Sequence, residues 1–433
     1  MIQLKKTSDI YRVFNRVGRL ANKFTTAEAF RTDQHPNNVE EPRNVSVWCS
    51  NDYLGMSRHP KVIKTACETI AKYGVGSGGT RNISGNNLLH EKLENVLASW
   101  YRKDAGLIFT SCYVANSTTL STLATILDDC IIFSDQGNHA SIIEGVRYSR
   151  CQKYIYKHND LDDLETNLAK VPLSRHKLIV FESVNSMNGS ISPIKEICDL
   201  AKRYNALTFL DEVHAVGLYG KYGSGYSEDL GCLDDIDIIS GTLGKAVGSI
   251  GGFIVGQNQL VDMIRSYAPG FIFTTSLPPA IISSSIESIK ILRSDEGQRL
   301  RTCHQNVVSV VRKRLTQAGF PQFPSPSHII PILVGDSKTC KMISKRLLDR
   351  HNIYVQPINY PTVMPKTERL RIAPTPGHDS ESVKKLVDSL IETWETVGLA
   401  RIHPVCTNDS CDCVLSCECY HFNQPTTSWQ VVL

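Results

Sequence analysis

No apolar run in this chain approaches the roughly 20 residues a helix needs to cross a bilayer, so no membrane span is expected. The paired C-x2-C spacing of a structural zinc site is missing too, although the chain carries 14 cysteines. Most are scattered singly through the first 340 residues, which suits free thiols in a reducing compartment better than a disulfide framework. The rest (Cys406, Cys411, Cys413, Cys417 and Cys419) crowd the end of the chain, and no metal is assigned to them. A strong charge of one sign is also lacking: a net charge of +4, dispersed along the chain, does not make a nucleic-acid surface. The start, Met-Ile-Gln-Leu-Lys-Lys, has neither a secretory apolar core nor a long arginine-rich presequence.

What is present is the composition of a soluble globular enzyme, 41% hydrophobic and 21% charged, over 433 residues. That length has room for two or three domains. The stretch Ile236 to Gly251 organises the rest. A short apolar strand breaks into hydroxyls and glycines that present Lys245, and a turn then leads into a second apolar run, Gly252 to Val255. Flanking glycines at 241, 244 and 248 weaken helix and strand alike and permit close backbone approach to a ligand. Taken alone, this is also an ordinary loop with a solvated lysine.

Its partner upstream gives it meaning. Residues 207 to 214, Leu-Thr-Phe-Leu-Asp-Glu-Val-His, deliver Asp211 at a strand end and His214 three residues on. Pyridoxal phosphate enzymes use an acid there to keep the pyridine nitrogen protonated, and a lysine beyond the next strand to form the covalent bond to the cofactor. Asp-Glu-Val-His-Ala-Val-Gly-Leu-Tyr-Gly (211–220), Ser-Gly-Thr-Leu-Gly-Lys-Ala (240–246) and Arg-Ser-Tyr-Ala-Pro-Gly-Phe-Ile-Phe-Thr-Thr-Ser-Leu-Pro-Pro (265–279) carry a long and specific resemblance. The chain resembles the α-oxoamine synthase group of pyridoxal phosphate enzymes, and within it the 5-aminolevulinate synthase family, over roughly residues 11–399.

The resemblance implies a condensation of glycine with succinyl-CoA, the first step of haem biosynthesis, on pyridoxal 5'-phosphate. It also implies a homodimer in the mitochondrial matrix, with the active site at the subunit interface. Lys245, Asp211 and His214 are the catalytic residues it implies. The cofactor falls to these three with Ser111, Cys112, Tyr113, His139, Glu182, Ser186, Thr242, Thr274 and Thr275. His139 would stack on the pyridine ring, and Thr274-Thr275 would reach the phosphate of the other subunit. The substrates fall to Arg12, Asn51, Thr80, Asn82, Ile83, Ser134, Lys153, Thr362 and Arg371, with Arg371 forking onto the substrate carboxylate. A sister specificity such as 2-amino-3-ketobutyrate CoA ligase, or a non-catalytic homologue, remains open here. Asn185, Asn188 and Met364-Pro365-Lys366 depart from the family's pattern.

Independently of the resemblance, strand and helix patterns alternate from 107 to 255. This predicts an α/β fold: a large domain with a mostly parallel sheet covered by helices, plus a smaller C-terminal α/β domain; the resemblance implies in addition the fold type I of the pyridoxal phosphate transferases. The expected division is an N-terminal helix and loop over 1–47, a cofactor domain over 48–276, a small domain over 277–400 and a flexible tail over 401–433. Spacing predicts an amphipathic helix within 9–30, a helix from about Asn116 after the strand at 107–109, and a helix opened by Ser192-Pro193 with a side-chain cap. Gly74 to Gly85 follows a helical pattern where a dinucleotide fingerprint would follow a strand, so it reads as a substrate-facing loop.

Overall fold

The computed structural model describes residues 14–30 and 41–402. Arg12 and the cysteine-rich tail lie outside the described residues. The first elements are strands, β1 (Arg16–Arg19) and β2 (Thr26–Phe30), followed by β3 (Arg43–Val47). The helix expected within 9–30 is therefore corrected to a hairpin over its described part. Pairing decides the matter: β2 runs antiparallel to both neighbours, with Ala27 opposite Val45. Ala27, Ala29, Val45 and Val47 all turn inward at the two-residue period of strands.

Two helices follow, α1 (Pro60–Tyr73) and α2 (Leu88–Trp100). The first is capped by His59 with proline at its first position, the second by a capping box of Asn87 and His90. The expected alternation then runs β4 (Ala105–Phe109), α3 (Cys112–Ile126), β5 (Ile131–Asp135), α4 (Ala140–Ser149), β6 (Gln152–Tyr156), α5 (Leu161–Leu168), β7 (Lys177–Glu182), α6 (Ile194–Arg203) and β8 (Leu207–Asp211). It closes with β9 (Ile238–Thr242) and β10 (Gly252–Gly256).

These strands form one sheet in the order β4-β10-β9-β8-β7-β5-β6. β10 is antiparallel to β4 and β9, and the remaining pairs are parallel. Successive residues point to opposite faces, so the sheet carries two cores. Phe133, Ile179, Phe181, Leu210, Ile239 and Phe253 fill one, and Ile132, Leu178, Val180, Phe209, Ile238 and Ile254 the other. β4, β5, β6, β7, β8 and β9 all run the same way, so their carboxyl ends share one edge, where open α/β sheets bind ligands.

Helix α7 (Asn258–Tyr267) leads to α8 (Pro279–Leu292), whose Ile282, Ile289 and Leu292 join the first of those cores. A separate core gathers α9 (Asp295–Gln317), β11 (Ile330–Leu333), α10 (Ser337–His351), β12 (Ile353–Tyr354), β13 (Gln356–Ile358), β14 (Arg369–Ile372) and α11 (Ser380–Thr396). It contains Val311, Ile332, Leu347, Leu370, Leu386 and Trp394, and also Trp48 from just after β3. We therefore propose a division between the two bodies near residue 294, beyond α8, in place of 277.

β12 pairs parallel with β3, so the first small sheet and the last part of the chain are joined. Among the described residues no helix is long and apolar enough to cross a membrane.

Candidate active site

Asp211 ends β8 and Glu182 ends β7, opposite each other in the parallel register. Both carboxyls are buried, and burial raises the proton affinity of each, Glu182 the more because the Asp211 charge adds to it. Their surroundings divide the proton between them. Asp211 accepts from Asn116 Nδ2 at 2.7 Å and from the Val213 N–H at 2.8 Å, whereas Glu182 Oε1 has no hydrogen-bond partner. Asp211 therefore keeps the charge and Glu182 takes the proton.

Lys245 sits in the turn between β9 and β10. Gly248, at φ +73°, folds this turn so tightly against Met56 and Ser57 that a Cβ there would lie 2.2 Å from the Ser57 nitrogen. The ammonium has been taken out of water, and burial pushes the Lys245 pKa down to about 8, with Arg371 acting the same way against the opposing pull of Asp211. Its Nζ lies 3.1 Å from His214 Nε2. His214 is itself buried, and burial, then Lys245 and Arg371, holds it neutral.

From His214 the contacts run outward to Tyr53, whose hydroxyl is 2.8 Å from Nδ1. Arg371 Nη2 donates to that hydroxyl at 3.0 Å, Nη1 donates to Asn51 Oδ1 at 3.0 Å, and Nε donates to the Ser186 carbonyl at 2.9 Å. The structure thus brings together Lys245, His214, Asn51, Ser186 and Arg371 through Tyr53, a residue the sequence analysis does not single out. Asn116 is the second such residue. No local signal marks either one, because their partners lie 161 and 95 positions away.

Ser111 caps α3, accepting the Val114 N–H at 3.2 Å, so the helix starts at Cys112 and not near Asn116. Its first-turn N–H groups face the carboxyl edge of the sheet, as an anion site requires. β10 lies hard against this turn because Gly252 has no side chain: a Cβ there would be 2.3 Å from the Cys112 nitrogen. Tyr113 makes a short contact with Glu144 and an edge-on contact with His139, ring centres 6.3 Å apart. His139 caps α4 and hydrogen-bonds Ser141 Oγ at 2.8 Å. Its basicity is lowered by burial and raised by Asp211, which puts it beside the Asp211–Lys245 pair.

Thr242 accepts the Gly244 N–H at 3.1 Å and donates to the Gly251 carbonyl, which braces the lysine turn. Thr274 donates to the Gly270 carbonyl at 2.7 Å, and Thr275 bridges to Thr80 in the glycine-rich loop. In that loop Asn82 and Ile83 are exposed. Ser134 is buried within β5, where it accepts from Asn138 Nδ2 at 2.9 Å. Lys153 is exposed on edge strand β6, paired with Ile132 in the half away from the carboxyl edge. Thr362 is exposed beyond β13.

Two of the departures from the family pattern, Asn185 and Asn188, have defined jobs. Asn185 Oδ1 accepts the N–H groups of Met187 and Asn188, and its Nδ2 donates to the Gly137 carbonyl at 2.9 Å. Asn188 Oδ1 accepts from the Ser190 N–H and hydroxyl at 2.9 and 2.8 Å. The expected Ser192 cap is not formed: Pro193 is the N-cap of α6, and Ser192 Oγ donates instead to the Glu182 carbonyl at 2.6 Å.

A buried amine of lowered basicity, a buried charged carboxylate and a helix N-terminus on one sheet edge form the donor set for a phosphorylated, ring-bearing aldehyde. The unpartnered Glu182 oxygen beside them fits the same group. Among the described residues no group of three metal-ligating side chains converges.

Comparison with known proteins points to the same cofactor chemistry. Residues 43–390 match the family model for aminotransferase class I and II. The non-specific mitochondrial 5-aminolevulinate synthase of Opsanus tau is 50% identical over 97% of this chain and 66% of its own length. The erythroid-specific mitochondrial enzyme of Delphinapterus leucas is 51% identical over 92% of this chain and 68% of its own. The chain thus spans about two thirds of the length of these curated relatives. Among solved structures, SPT with PLP superposes with a TM-score of 0.81 at 27% identity, covering 89% of this chain and 94% of that one.

Proposed function

This chain belongs to the aminotransferase class I and II family and, within it, to the 5-aminolevulinate synthases, and from that membership we propose that it is a pyridoxal phosphate-dependent acyltransferase joining glycine to succinyl-CoA. The products are 5-aminolevulinate, CoA and CO2, the entry to haem synthesis. The observation that carries this reading is the buried Lys245 amine in contact with His214, beside a charged Asp211.

When bound, pyridoxal phosphate supplies an electron sink for the pair left at the glycine α-carbon. Asp211, kept ionised by Asn116 and Val213, holds the proton on the ring nitrogen. The phosphate falls to the first turn of α3 and to Thr242, with Thr274 and Thr275 serving the partner subunit's site in a homodimer. Arg371 and Asn51 grip the glycine carboxylate as a planar, two-pronged pair. Lys245, with a pKa near 8, takes the α-proton near neutral pH without a large free-energy penalty. His214 hydrogen-bonds the carbonyl oxygen of the incoming thioester. The glycine α-carbon bonds to the thioester carbonyl carbon as the C–S bond breaks, CoA leaves as thiol with the proton that Lys245 had taken, and loss of CO2 is set by the carboxylate that Arg371 has oriented.

Arg12, Thr80, Asn82, Ile83, Ser134, Lys153 and Thr362 are proposed for the acyl-CoA side and substrate closure. The mitochondrial location of these relatives supports a mitochondrial setting. The test is an absorbance spectrum of the purified protein, then glycine, then succinyl-CoA with product assayed. A visible-edge band that shifts with glycine, 5-aminolevulinate formed from succinyl-CoA, and no release of CoA from acetyl-CoA, is the expected result. Product from acetyl-CoA alone would reassign the acyl specificity, and absence of any band would overturn the enzymatic reading.

A further inference from the structure

Away from the lysine turn, the same carboxyl edge of the sheet carries an acid, a histidine and a serine in one hydrogen-bonded line. Asp135 ends β5, His158 lies just beyond β6 and Ser190 stands in the loop after β7, so three adjacent strands deliver them. His158 Nδ1 lies 2.7 Å from Asp135 Oδ1, and its Nε2 lies 2.7 Å from Ser190 Oγ. The proposed condensation uses none of the three.

The acid is held in one place. Asp135 is only 4% exposed, and its oxygens accept the N–H groups of Gly137 at 2.6 Å and Asn159 at 3.0 Å. A Cβ at Gly137 would lie 2.7 Å from His158 Nδ1, so glycine is what lets the imidazole come this close. The serine loop is pinned from both sides: Asn159, next to His158, donates through Nδ2 to the Ile191 carbonyl at 3.2 Å, and the Asn185 N–H donates to the Ser190 carbonyl at 2.9 Å. Base and hydroxyl are therefore set by a shared brace, and their contact does not depend on either side chain alone.

A carboxylate only accepts, so the proton of the neutral ring sits on Nδ1 and Nε2 offers its lone pair to Ser190. The hydroxyl proton lies between this nitrogen and Asn188 Oδ1, 2.8 Å away; the imidazole is the nearer and the stronger base. A hydroxyl within reach of a base that a third group orients is the arrangement of covalent acyl transfer. The line is also open to a reactant, since the His158 side chain is 26% exposed and Ser190 is half-buried.

We propose that Ser190, His158 and Asp135 form a second site, independent of the cofactor, at which small carboxylic oxygen esters acylate Ser190 and are hydrolysed. Ser190 Oγ bonds to the ester carbonyl carbon while its proton passes to His158 Nε2. The C–O bond to the alcohol breaks, and the imidazolium gives that proton to the departing alkoxide, help that a thiolate such as CoA does not need. Water then attacks the acyl-serine with His158 again as base, the acid leaves, and Ser190 regains its proton. Asp135 touches only the imidazole and acts by orienting it.

The test uses the full chain with a tagged fluorophosphonate, which forms an O–P bond to a nucleophilic serine as fluoride leaves, and peptide mapping of the labelled residue; p-nitrophenyl acetate hydrolysis is followed in parallel. Labelling at Ser190 is expected in wild type and equally in Lys245→Ala, and the ester hydrolysis of Lys245→Ala should disappear when Ser190→Ala is added. His158→Gln, checked for folding by thermal unfolding, should slow labelling by about a hundredfold, the share of a general base. A wild-type Ser190 that stays unlabelled overturns the proposal, as does a label that maps elsewhere or a Ser190 rate that His158→Gln leaves unchanged. Formation of 5-aminolevulinate by Ser190→Ala should stay within about twofold of wild type, as for a residue outside that machinery. The label needs neither glycine, succinyl-CoA nor Lys245: a chain labelled at Ser190 that makes no 5-aminolevulinate refutes the synthase reading alone, and a synthase whose Ser190 stays unlabelled refutes this site alone.

Discussion

Replacing Asn116 with leucine isolates the support under the cofactor-facing acid. The side chains are close in volume, so the change removes a donor and leaves little cavity. What it takes away is a 2.7 Å bond to a carboxylate that is only 4% exposed, and a hydrogen bond to a buried charge contributes about 1.5–3 kcal/mol. The Val213 N–H stays on the other oxygen; the change also removes the Asn116 donation to Ser141 Oγ at 3.1 Å and the weak Cys112 Sγ contact at 3.7 Å, but Ser141 Oγ keeps its contact with His139, so the loss felt by the charge falls on Asp211 Oδ2. Burial already raises the Asp211 pKa, and Asn116 is one of the groups holding it down. Without Asn116, proton uptake by Asp211 competes with its hold on the ring nitrogen.

A central value of about 2 kcal/mol corresponds to about 30-fold in kcat/KM. The assay is 5-aminolevulinate formation at saturating cofactor, with cofactor affinity titrated by absorbance. In an Asp211→Asn background, which has no charge to stabilise, Asn116→Leu should cost less than twofold. Activity within twofold of wild type, or an undiminished loss in the Asp211→Asn background, would refute the account of Asp211 as the charged member of the pair.

Other substitutions probe separate parts of the site. Asp211→Asn should retain the cofactor but cut turnover by at least a hundredfold, because a neutral amide cannot hold the ring proton; cofactor content by absorbance and product assay check both halves. Reaction of Lys245 with acetic anhydride in cofactor-free protein should follow an amine of pKa about 8, and peptide mapping of the acetylated residue against pH reads it. Asn188→Asp should change activity less than threefold, since the side-chain oxygen at 188 accepts from Ser190 and a carboxylate does that equally well. His304 is fully buried, donates to the Pro374 carbonyl, and is held down to about 4 by burial. Below pH 6.5 the unfolded chain binds a proton there that the fold does not, so this residue's contribution falls as pH drops toward 4. His304→Leu should therefore destabilise at pH 7.5, and its deficit should shrink by about 2 kcal/mol at pH 5 in urea titrations; an unchanged deficit would contradict a neutral buried ring.

The sequence carried the large sheet and the acid–lysine pair plainly, because both depend on local pattern: apolar runs that end in Asp211 and a glycine-bounded Lys245. The segment before residue 31 misled, since the spacing of Val17, Leu20 and Phe24 suits a helix while pairing with β3, which no local window contains, makes β1 and β2 strands. Ser192 has the chemistry of a cap and is used to hold the end of β7. Tyr53 reads as an unremarkable motif tyrosine and Asn116 as the start of a helix. Their importance arises when distant strand ends deliver His214, Arg371 and Asp211 to them.

The grip formed by Asn51 and Arg371 joins residues 320 positions apart, and β3 gains its parallel neighbour β12 only when Ile353 and Tyr354 exist. At a ribosomal pace of about 5–20 residues per second, Asn51 waits roughly a quarter of a minute to a minute for its counterpart. For that interval β3 presents an open edge to the cytosolic or matrix milieu, the kind of edge that recruits stray strands. Both the closed edge of this sheet and the grip on a carboxylate therefore arrive only with the last third of the chain.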